Sequence, residues 1–255
     1  MKSVIVIPAR YASTRLPHKL LLNETGKPLI QHTYESAMKA ELPAAVIVAC
    51  DHEEIAAAVQ RFGGHVRMTN PNAKSGTDRI AEVAATLDDT GIIVNVQGDE
   101  PEIDGTSIDL AIRLLRDHPD AVMSTLAAPI RKRALLEDPA CVKAVFDSAG
   151  KALYFSRSVI PYPRDGIREE YFSGQPLFYQ HIGLYAYRRD FLLQLSQLPQ
   201  PEIEKAESLE QLRVLYYGYS IRVGVIDKPT IGIDTPDDYR AFVAAYKKIS
   251  DPHTN

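Results

Sequence analysis

The chain has 255 residues, of which 45% are hydrophobic and 24% are charged, and its formal net charge at pH 7 is -4. This composition is typical of a soluble globular protein with a sizeable core, and the negative net charge argues against a protein that coats nucleic acid. The sequence contains two distant cysteines, Cys50 and Cys141, and no run near the ~18 apolar residues of a membrane-spanning helix. We therefore expect a cytoplasmic protein without membrane insertion, a disulfide framework or a zinc site.

The first predicted element is a buried strand at residues 4–7, which runs directly into a basic loop. This loop contains Arg10, Arg15 and Lys19 with small residues between them. Open parallel sheets bind ligands outside the carboxyl ends of their strands, so three cations at such an end favour a phosphate-rich anion. A solvated basic loop is the alternative. Because the loop matches neither the P-loop nor the dinucleotide-binding glycine pattern, binding would depend mainly on side-chain charge.

Short β-branched runs alternate with segments of helical periodicity in the first half of the chain. The pattern predicts strands at residues 4–7, 45–49, 92–96 and 122–126, and helices at residues 29–40, 53–62, 77–87 and 107–115. Strands that alternate with helices predict a mostly parallel sheet covered on both faces. We therefore expect an α/β protein with a three-layer doubly wound architecture.

Beyond residue 127 the pattern changes to that of a mixed sheet. Antiparallel strands are predicted at residues 142–146, 151–155 and 178–187. The Pro- and charge-rich segment 161–176 predicts an interface or lid element, and we favour a dimerisation arm. The chain then returns to a helix at residues 208–216, a strand at residues 221–225 and a final helix from Pro236, with Thr235 as its N-cap.

An acidic motif follows the predicted strand at residues 92–96. It contains Asp99 and Glu100 immediately after Gly98. A carboxylate at a strand end beside a cationic phosphate loop predicts Mg²⁺ held against a triphosphate, and a glycine turn with solvated acids is the alternative. Mg²⁺ usually takes one or two carboxylates, so we expect a second ligand, for which Asp234 is the best candidate. Asp234 can also act on the dipole of the final helix.

Residues 75–79, with the sequence SGTDR, predict the start of a helix. Its backbone N–H groups and the Ser75 and Thr77 hydroxyls could read a nucleobase edge or bind a phosphate. A plain capping box would show the same pattern.

The second half contains candidate residues for an acidic acceptor sugar. Strand alternation places His181 and Tyr185 on one face. A lone histidine on a strand is more often structural, but the shared face favours a sugar pocket, with Arg157 for a carboxylate. Glu210 and Gln211 could bind sugar hydroxyls, and an exposed amphipathic helix is the alternative.

Seven motifs in one order resemble those of the 3-deoxy-manno-octulosonate cytidylyltransferase family, from Ile7 to about Tyr239. They are PARYASTRLP, SGTDR, NVQGDEP, ALYFSR, HIGLYAY, ESLEQLR and GIDTP. The resemblance implies a mixed sheet of nucleotidyltransferase type with a smaller sugar-binding and dimerisation subdomain. It implies one domain over residues 1–255, with a CTP-binding half at about 1–127 and a sugar-binding and dimerisation half at about 128–255.

The family's reaction condenses CTP with 3-deoxy-D-manno-octulosonate (Kdo) to CMP-Kdo and pyrophosphate, for lipopolysaccharide biosynthesis, in a homodimer. By this resemblance, the residues expected to bind the nucleotide are Ala9, Arg10, Ser13, Arg15, Lys19, Ser75, Gly76, Thr77 and Arg79. Those expected to act in catalysis are Arg10, Arg15, Lys19 and Asp99, and those expected to ligate Mg²⁺ are Asp99 and Asp234. Those expected to surround the sugar are Gln97, Arg157, His181, Tyr185, Glu210 and Gln211.

One residue departs from the family pattern: His18 stands where members commonly have glycine. We expect this difference to affect the shape of the basic loop and to leave its positive charge unchanged. Two other functions stay open. The first is cytidylyl transfer to a related acid sugar, such as 8-amino-Kdo or a sialic acid. The second is a regulatory module that binds CTP without turnover, against which the two carboxylates argue because, without metal, they would repel a triphosphate.

Overall fold

The computed structural model describes residues 1–230 and 232–250 and divides into two compact units. The first, here called the N-terminal unit, consists of Lys2–Asp109 and the described residues from Thr230 onward. The second, called the central unit, consists of Met1 and Leu110–Pro229. No helix in the described part of the chain is both long and apolar enough to cross a bilayer.

The secondary structure alternates between strands and helices, as the sequence predicts. The strands are β1 Ser3–Ala9, β2 Val46–Cys50, β3 His65–Met68, β4 Ile92–Asn95, β5 Ala121–Pro129, β6 Lys143–Phe146, β7 Ala152–Ser156, β8 Tyr179–Arg188 and β9 Ser220–Val225. The helices are α1 Leu29–Ala37, α2 Glu53–Arg61, α3 Gly76–Ala84, α4 Gly105–Asp117, α5 Arg133–Glu137, α6 Arg189–Leu195, α7 Glu202–Glu207, α8 Gln211–Tyr216 and α9 Pro236–Ser250. Short 3-10 helices lie at Lys19–Leu21 and Glu169–Phe172.

In the N-terminal unit, four strands pair in parallel in the order β3-β2-β1-β4. β2 and β4 are buried at every position and β1 at all but one, which explains their continuous apolar sequences. The chain passes from β1 to β2 and β3 on one side, and then crosses back to place β4 on the other side of β1. The carboxyl ends of β1 and β4 therefore flank a topological switch point, where open α/β sheets bind ligands.

The central unit contains a mixed set of strands. β5 pairs in parallel with β9 and antiparallel with β8, and β6 pairs antiparallel with β7 and β8. The predicted antiparallel additions are confirmed. Within the predicted arm at residues 161–176, Phe172 packs with Phe178, Ile130 and Leu136 in a small apolar cluster.

The prediction of one helix over residues 208–216 is wrong. Ser208 adopts the left-handed conformation (φ 51°) and ends α7, and the next helix begins only at Gln211. The motif ESLEQLR is therefore a helix end, a turn and a helix start, and not a continuous amphipathic helix.

Candidate active site

The candidate site is a cleft of about 520 Å³ in the N-terminal unit, at the carboxyl ends of β1 and β4. It lies where the strand order predicts a ligand. Eight of the predicted residues line it: Arg10, Ser13, Arg15, Lys19, Gly76, Gln97, Asp99 and Asp234. Ala12, one of the small residues of the basic loop, also lines it, as does Thr14, which sequence reasoning did not single out although it lies within the PARYASTRLP motif.

Lys19 is the centre of a charged cluster in this cleft. Its Nζ donates hydrogen bonds to Asp99 Oδ2 at 2.5 Å, Asp234 Oδ1 at 3.0 Å and the Ile233 carbonyl at 3.0 Å. Arg15 Nη2 lies 3.0 Å from the same Asp234 oxygen. Burial alone would lower the pKa of Lys19, but the hydrogen bonds and charges of the two aspartates outweigh it and raise that pKa. The cluster therefore holds a permanent cation between two carboxylates.

Backbone contacts fix both carboxylates in place. The Ile233 N–H donates to the Asp99 carbonyl at 2.9 Å, which joins the segment before α9 to the turn after β4. A Cβ at Gly98 would lie 3.0 Å from the Pro8 carbonyl oxygen, so a side chain there would push this turn away from β1. The predicted glycine turn thus lets Asp99 approach the basic loop.

The helix starts predicted at Ser75 and Thr235 are confirmed. Ser75 Oγ accepts a hydrogen bond from the Asp78 N–H at 2.9 Å at the start of α3. Thr235 Oγ1 accepts from the Asp238 N–H at 3.2 Å, and Asp238 Oδ2 accepts from the Thr235 N–H at 2.8 Å. The first cap places Gly76 in the cleft, and the second holds Asp234 there.

Arg79 has a different environment from the other predicted nucleotide-binding residues. Its side chain is fully buried, and its guanidinium contacts Asp51 Oδ2 at 3.0 Å and Thr69 Oγ1 at 2.5 Å. Asp51 Oδ1 also accepts from the Tyr11 N–H at 2.8 Å. Arg79 therefore connects α3 to the basic loop through Asp51, and it does not line the cleft. Sequence reasoning missed Asp51, although it directly follows β2 at a strand end.

Glu100, beside Asp99, is a buried acid that sequence reasoning left without a role. Burial raises the pKa of Glu100 to about 7, with Asp99 acting in the same direction and a hydrogen bond from Thr230 Oγ1 at 3.1 Å opposing it. It contacts the segment that leads to Asp234, and does not line the cleft.

The residues predicted to surround the sugar come from both units. Gln97 lies in the N-terminal unit, and the other five lie in the central unit. There, Tyr185 Oη donates to Gln211 Oε1 at 3.5 Å, and the ring centroids of His181 and Tyr185 are 5.3 Å apart. Burial lowers the pKa of His181, so its ring is neutral at neutral pH. Gln211 Nε2 is buried and has no hydrogen-bond partner among the described residues.

Arg157 lies in the central unit, directly after the carboxyl end of β7, and three hydrogen bonds hold it there. Its Nε donates to the Glu207 carbonyl at 2.7 Å, its Nη1 to the Pro139 carbonyl at 3.1 Å and its backbone N–H to Glu207 Oε2 at 2.9 Å. Glu210 lies just before α8, next to Gln211.

Comparison with known proteins identifies the family of this chain. The family model described as cytidylyltransferase matches residues 4–221. The 3-deoxy-manno-octulosonate cytidylyltransferase of Rhodopirellula baltica is 50% identical over 245 residues, covering 96% of this chain and 98% of that protein. The enzyme of the same name from Geotalea uraniireducens is 50% identical, covering 97% of this chain and 100% of its own. The chain belongs to the 3-deoxy-manno-octulosonate cytidylyltransferase family.

A solved structure has the same fold. It is a CMP:2-keto-3-deoxy-manno-octonic acid synthetase complexed with CTP, 43% identical to this chain, with a TM-score of 0.90 and coverage of 98% of this chain and 100% of that one. The predicted α/β fold of nucleotidyltransferase type is confirmed, as is the resemblance to the 3-deoxy-manno-octulosonate cytidylyltransferases.

Proposed function

We propose that the chain transfers the cytidylyl group of CTP to the anomeric hydroxyl of Kdo, giving CMP-Kdo and pyrophosphate for lipopolysaccharide biosynthesis. Membership of the family and the CTP complex of its structural neighbour support this activity. The observation that carries it in this chain is the strand-end cleft in which Arg15 and Lys19 meet Asp99 and Asp234.

The reaction requires charge stabilisation more than covalent chemistry. The sugar hydroxyl attacks the α-phosphorus in line with the departing pyrophosphate, so negative charge grows on the leaving oxygens. Arg10, Arg15 and Lys19 line the cleft as fixed cations and would stabilise that charge. The capped start of α3 at Gly76 would orient the nucleotide through its N–H groups. No protein nucleophile is needed, and positioning supplies much of the acceleration.

Mg²⁺ is the cofactor that fits this donor set. Asp99 and Asp234 offer hard carboxylate oxygens that converge on one point, the Lys19 ammonium. These two residues would hold the ion, which when bound would neutralise charge on the triphosphate. Groups of three or more His, Cys, Asp and Glu residues that could hold a metal are absent from the described residues, and Mg²⁺ usually needs only one or two carboxylates.

Within the central unit, the sugar site would be formed by Arg157, His181, Tyr185, Glu210 and Gln211. Arg157 would bind the sugar carboxylate. The buried amide nitrogen of Gln211, which has no partner among the described residues, suits a sugar hydroxyl because an unpaired buried donor is costly. A neutral His181 can also bind a hydroxyl.

We also propose a cytoplasmic homodimer in which residues 161–176 form the arm. Tyr162 in this segment is 78% exposed, so a partner subunit could contact it there. Sedimentation of the wild type and of Tyr162→Asp tests the dimer, and identical monomeric sedimentation of both proteins would contradict it.

The experiment that tests the activity is pyrophosphate release from CTP in the presence of Kdo, 8-amino-Kdo or a sialic acid, each with Mg²⁺ and with a chelator. We expect release with Kdo that depends on Mg²⁺. Release with a sialic acid alone would overturn the choice of sugar. CTP binding that is equally tight in chelator, with no pyrophosphate from any sugar, would instead show a binding module.

A further inference from the structure

A fully buried lysine in the central unit lies beneath Arg157. The Lys143 side chain is 0% exposed, and its Nζ donates to the carbonyl oxygens of Asp138 at 3.0 Å, Cys141 at 2.6 Å and Arg157 at 2.6 Å. These three acceptors use all three N–H groups of the ammonium. A lysine is almost never this buried unless its charge is compensated, and here the three carbonyl oxygens provide that compensation.

Through these three carbonyls, Lys143 connects two separate segments of the central unit. Two belong to the loop at residues 138–141, and the third belongs to Arg157, immediately after β7. The Arg157 guanidinium returns to the same loop, because its Nη1 donates to the Pro139 carbonyl at 3.1 Å. The ammonium therefore fixes both the backbone from which the guanidinium extends and the loop against which it lies.

Glu207 holds Arg157 from another side. Its carboxylate accepts from Ser156 Oγ at 2.6 Å and from the Arg157 N–H at 2.9 Å, and its carbonyl accepts from Arg157 Nε at 2.7 Å. Glu207 is the last residue of α7, and the left-handed Ser208 that follows turns the chain there. The backbone of Glu207 is thus set by the helix end, so its carbonyl is a fixed acceptor.

These contacts restrict the guanidinium to one orientation. Nε and Nη1 are bonded to backbone carbonyls, while the structure gives no protein partner for Nη2 among the described residues. An arginine that binds a carboxylate needs such a fixed fork, because loss of side-chain freedom on binding weakens the interaction.

We propose that Lys143 and Glu207 are positioning residues that hold the Arg157 guanidinium ready for the carboxylate of the acid sugar. The inference rests on the proposed function, which assigns Arg157 to that carboxylate. Neither positioning residue touches the substrate, and both act through Arg157.

A double-mutant cycle with Lys143→Met and Arg157→Ala tests the proposal, with pyrophosphate release measured against each substrate. Loss of a charge-assisted bond predicts that Arg157→Ala raises the KM for Kdo about 100-fold. Lys143→Met should raise the same KM about tenfold, with the KM for CTP nearly unchanged. In the Arg157→Ala background, Lys143→Met should change the KM for Kdo less than about twofold, because it then has nothing to position.

Glu207→Gln provides a second route if Lys143→Met does not fold, since it keeps the side-chain size and the backbone carbonyl. It should raise the KM for Kdo and should also be non-additive with Arg157→Ala. Asp120→Asn is the matched control, because it removes an ion pair with Arg222 (3.0 Å) in the same unit and should leave both KM values unchanged.

The possible results distinguish the positioning role from the proposed function. Additive effects, or a parallel rise in both KM values, would overturn the positioning role and leave the sugar site intact. If Arg157→Ala leaves the KM for Kdo unchanged while pyrophosphate release persists, the assignment of Arg157 and this inference both fail, although the activity stands. Absence of release from the wild type would overturn the proposed function itself.

Discussion

Lys19 joins residues that are distant in the sequence. Its ammonium bonds Asp99, 80 positions away, and Asp234, 215 positions away. Two carboxylates that converge on one point repel each other, and the positive charge of Lys19 between them offsets this repulsion. The lysine therefore holds two carboxylates from distant segments next to each other in the cleft.

We expect Asp99→Asn to reduce turnover by at least about 100-fold, because it removes a charge that would face the bound nucleotide in the proposed reaction. The fold should survive, since the Asp99 side chain is 24% exposed and asparagine can still accept a bond from Lys19. Pyrophosphate release and thermal unfolding measure the two effects. Asp89→Asn, which removes an exposed acid paired with Lys2, should leave turnover normal. Extensive unfolding of Asp99→Asn would show instead that the residue is structural.

His18 has a backbone conformation that favours glycine. Its φ is 51° and its ψ is 30°, in the left-handed region, which costs a residue with a side chain roughly 1 kcal/mol. Its ring centroid lies 4.3 Å from that of Tyr11, which in turn stacks on His52 at 3.7 Å. His18 thus adds a ring contact at a turn of the basic loop whose backbone conformation favours glycine.

Substitutions at this position should separate the strain from the ring contact. His18→Ala keeps the strained backbone and loses the contact, so it should be less stable than the wild type. His18→Gly loses the same contact but relieves the strain, so it should be more stable than His18→Ala by about 1 kcal/mol. Urea-denaturation midpoints measured side by side check this order, and equal midpoints for the two variants would contradict it.

The start of α9 is connected to the site through the residue that precedes its cap. Thr235 and Asp238 cap its first turn reciprocally, and Asp234 immediately precedes that cap. The Asp234 N–H also lies 3.2 Å from Asp238 Oδ2, so the cap fixes the backbone of the proposed ligand as well. The start of one helix therefore determines where a carboxylate enters the cleft.

Thr235→Ala should lower the free energy of unfolding by about 1 kcal/mol, because the first turn loses a side-chain acceptor. It should also lower turnover at limiting Mg²⁺, since the backbone of Asp234 becomes less constrained. Thr235→Ser retains the hydroxyl and should behave like the wild type in both respects. Chemical denaturation and a Mg²⁺ titration of pyrophosphate release provide the measurements, and a lower stability with an unchanged titration would separate the cap from the site.

The elements that the sequence predicted well are those that are determined locally. β1, β2 and β4 are continuous apolar runs because they are buried, so their positions could be predicted to within two residues. β3 was missed because an edge strand with mostly exposed side chains has no such run. The break at Ser208 depends on one positive φ in a residue other than glycine, which no periodicity indicates.

For the whole molecule, the contacts that sequence reasoning missed are those between distant segments. The charges of the basic loop and of the acidic motif could be identified directly from the sequence. The order of the motifs, which resembles that of the family, indicated that the two segments belong to one site. The buried pair of Arg79 and Asp51, by contrast, depends on how the end of β2 meets α3, and the resemblance to the family implied only that Arg79 assists nucleotide binding. The sequence motif SGTDR therefore located the start of α3, while only the structure showed that the Arg79 side chain points into the protein and away from the cleft.

The stability of the protein also depends on a histidine buried between distant helices. His32 in α1 is 7% exposed, shares a hydrogen bond of 2.7 Å with Thr25 Oγ1, and packs edge-on against Phe242 and Tyr246 of α9. Burial lowers the pKa of His32 below its usual value near 6.5, with the charge of Lys27 acting in the same direction. The native state therefore favours a neutral ring.

Because of this environment, the free energy of unfolding should decrease as the pH falls. Below pH 6.5 the unfolded chain takes up a proton at His32, and the native state binds that proton less readily. The free energy of unfolding therefore decreases as the pH falls toward the native pKa of His32. For this one group the decrease is at most about 1.4 kcal/mol per pH unit. His32→Gln should reduce this dependence, because glutamine does not titrate, whereas His65→Gln at an exposed position should leave it unchanged. Urea denaturation at pH 5.0 and pH 7.5 compares the three proteins, and an equal loss of stability in His32→Gln and the wild type would show that other groups cause the dependence.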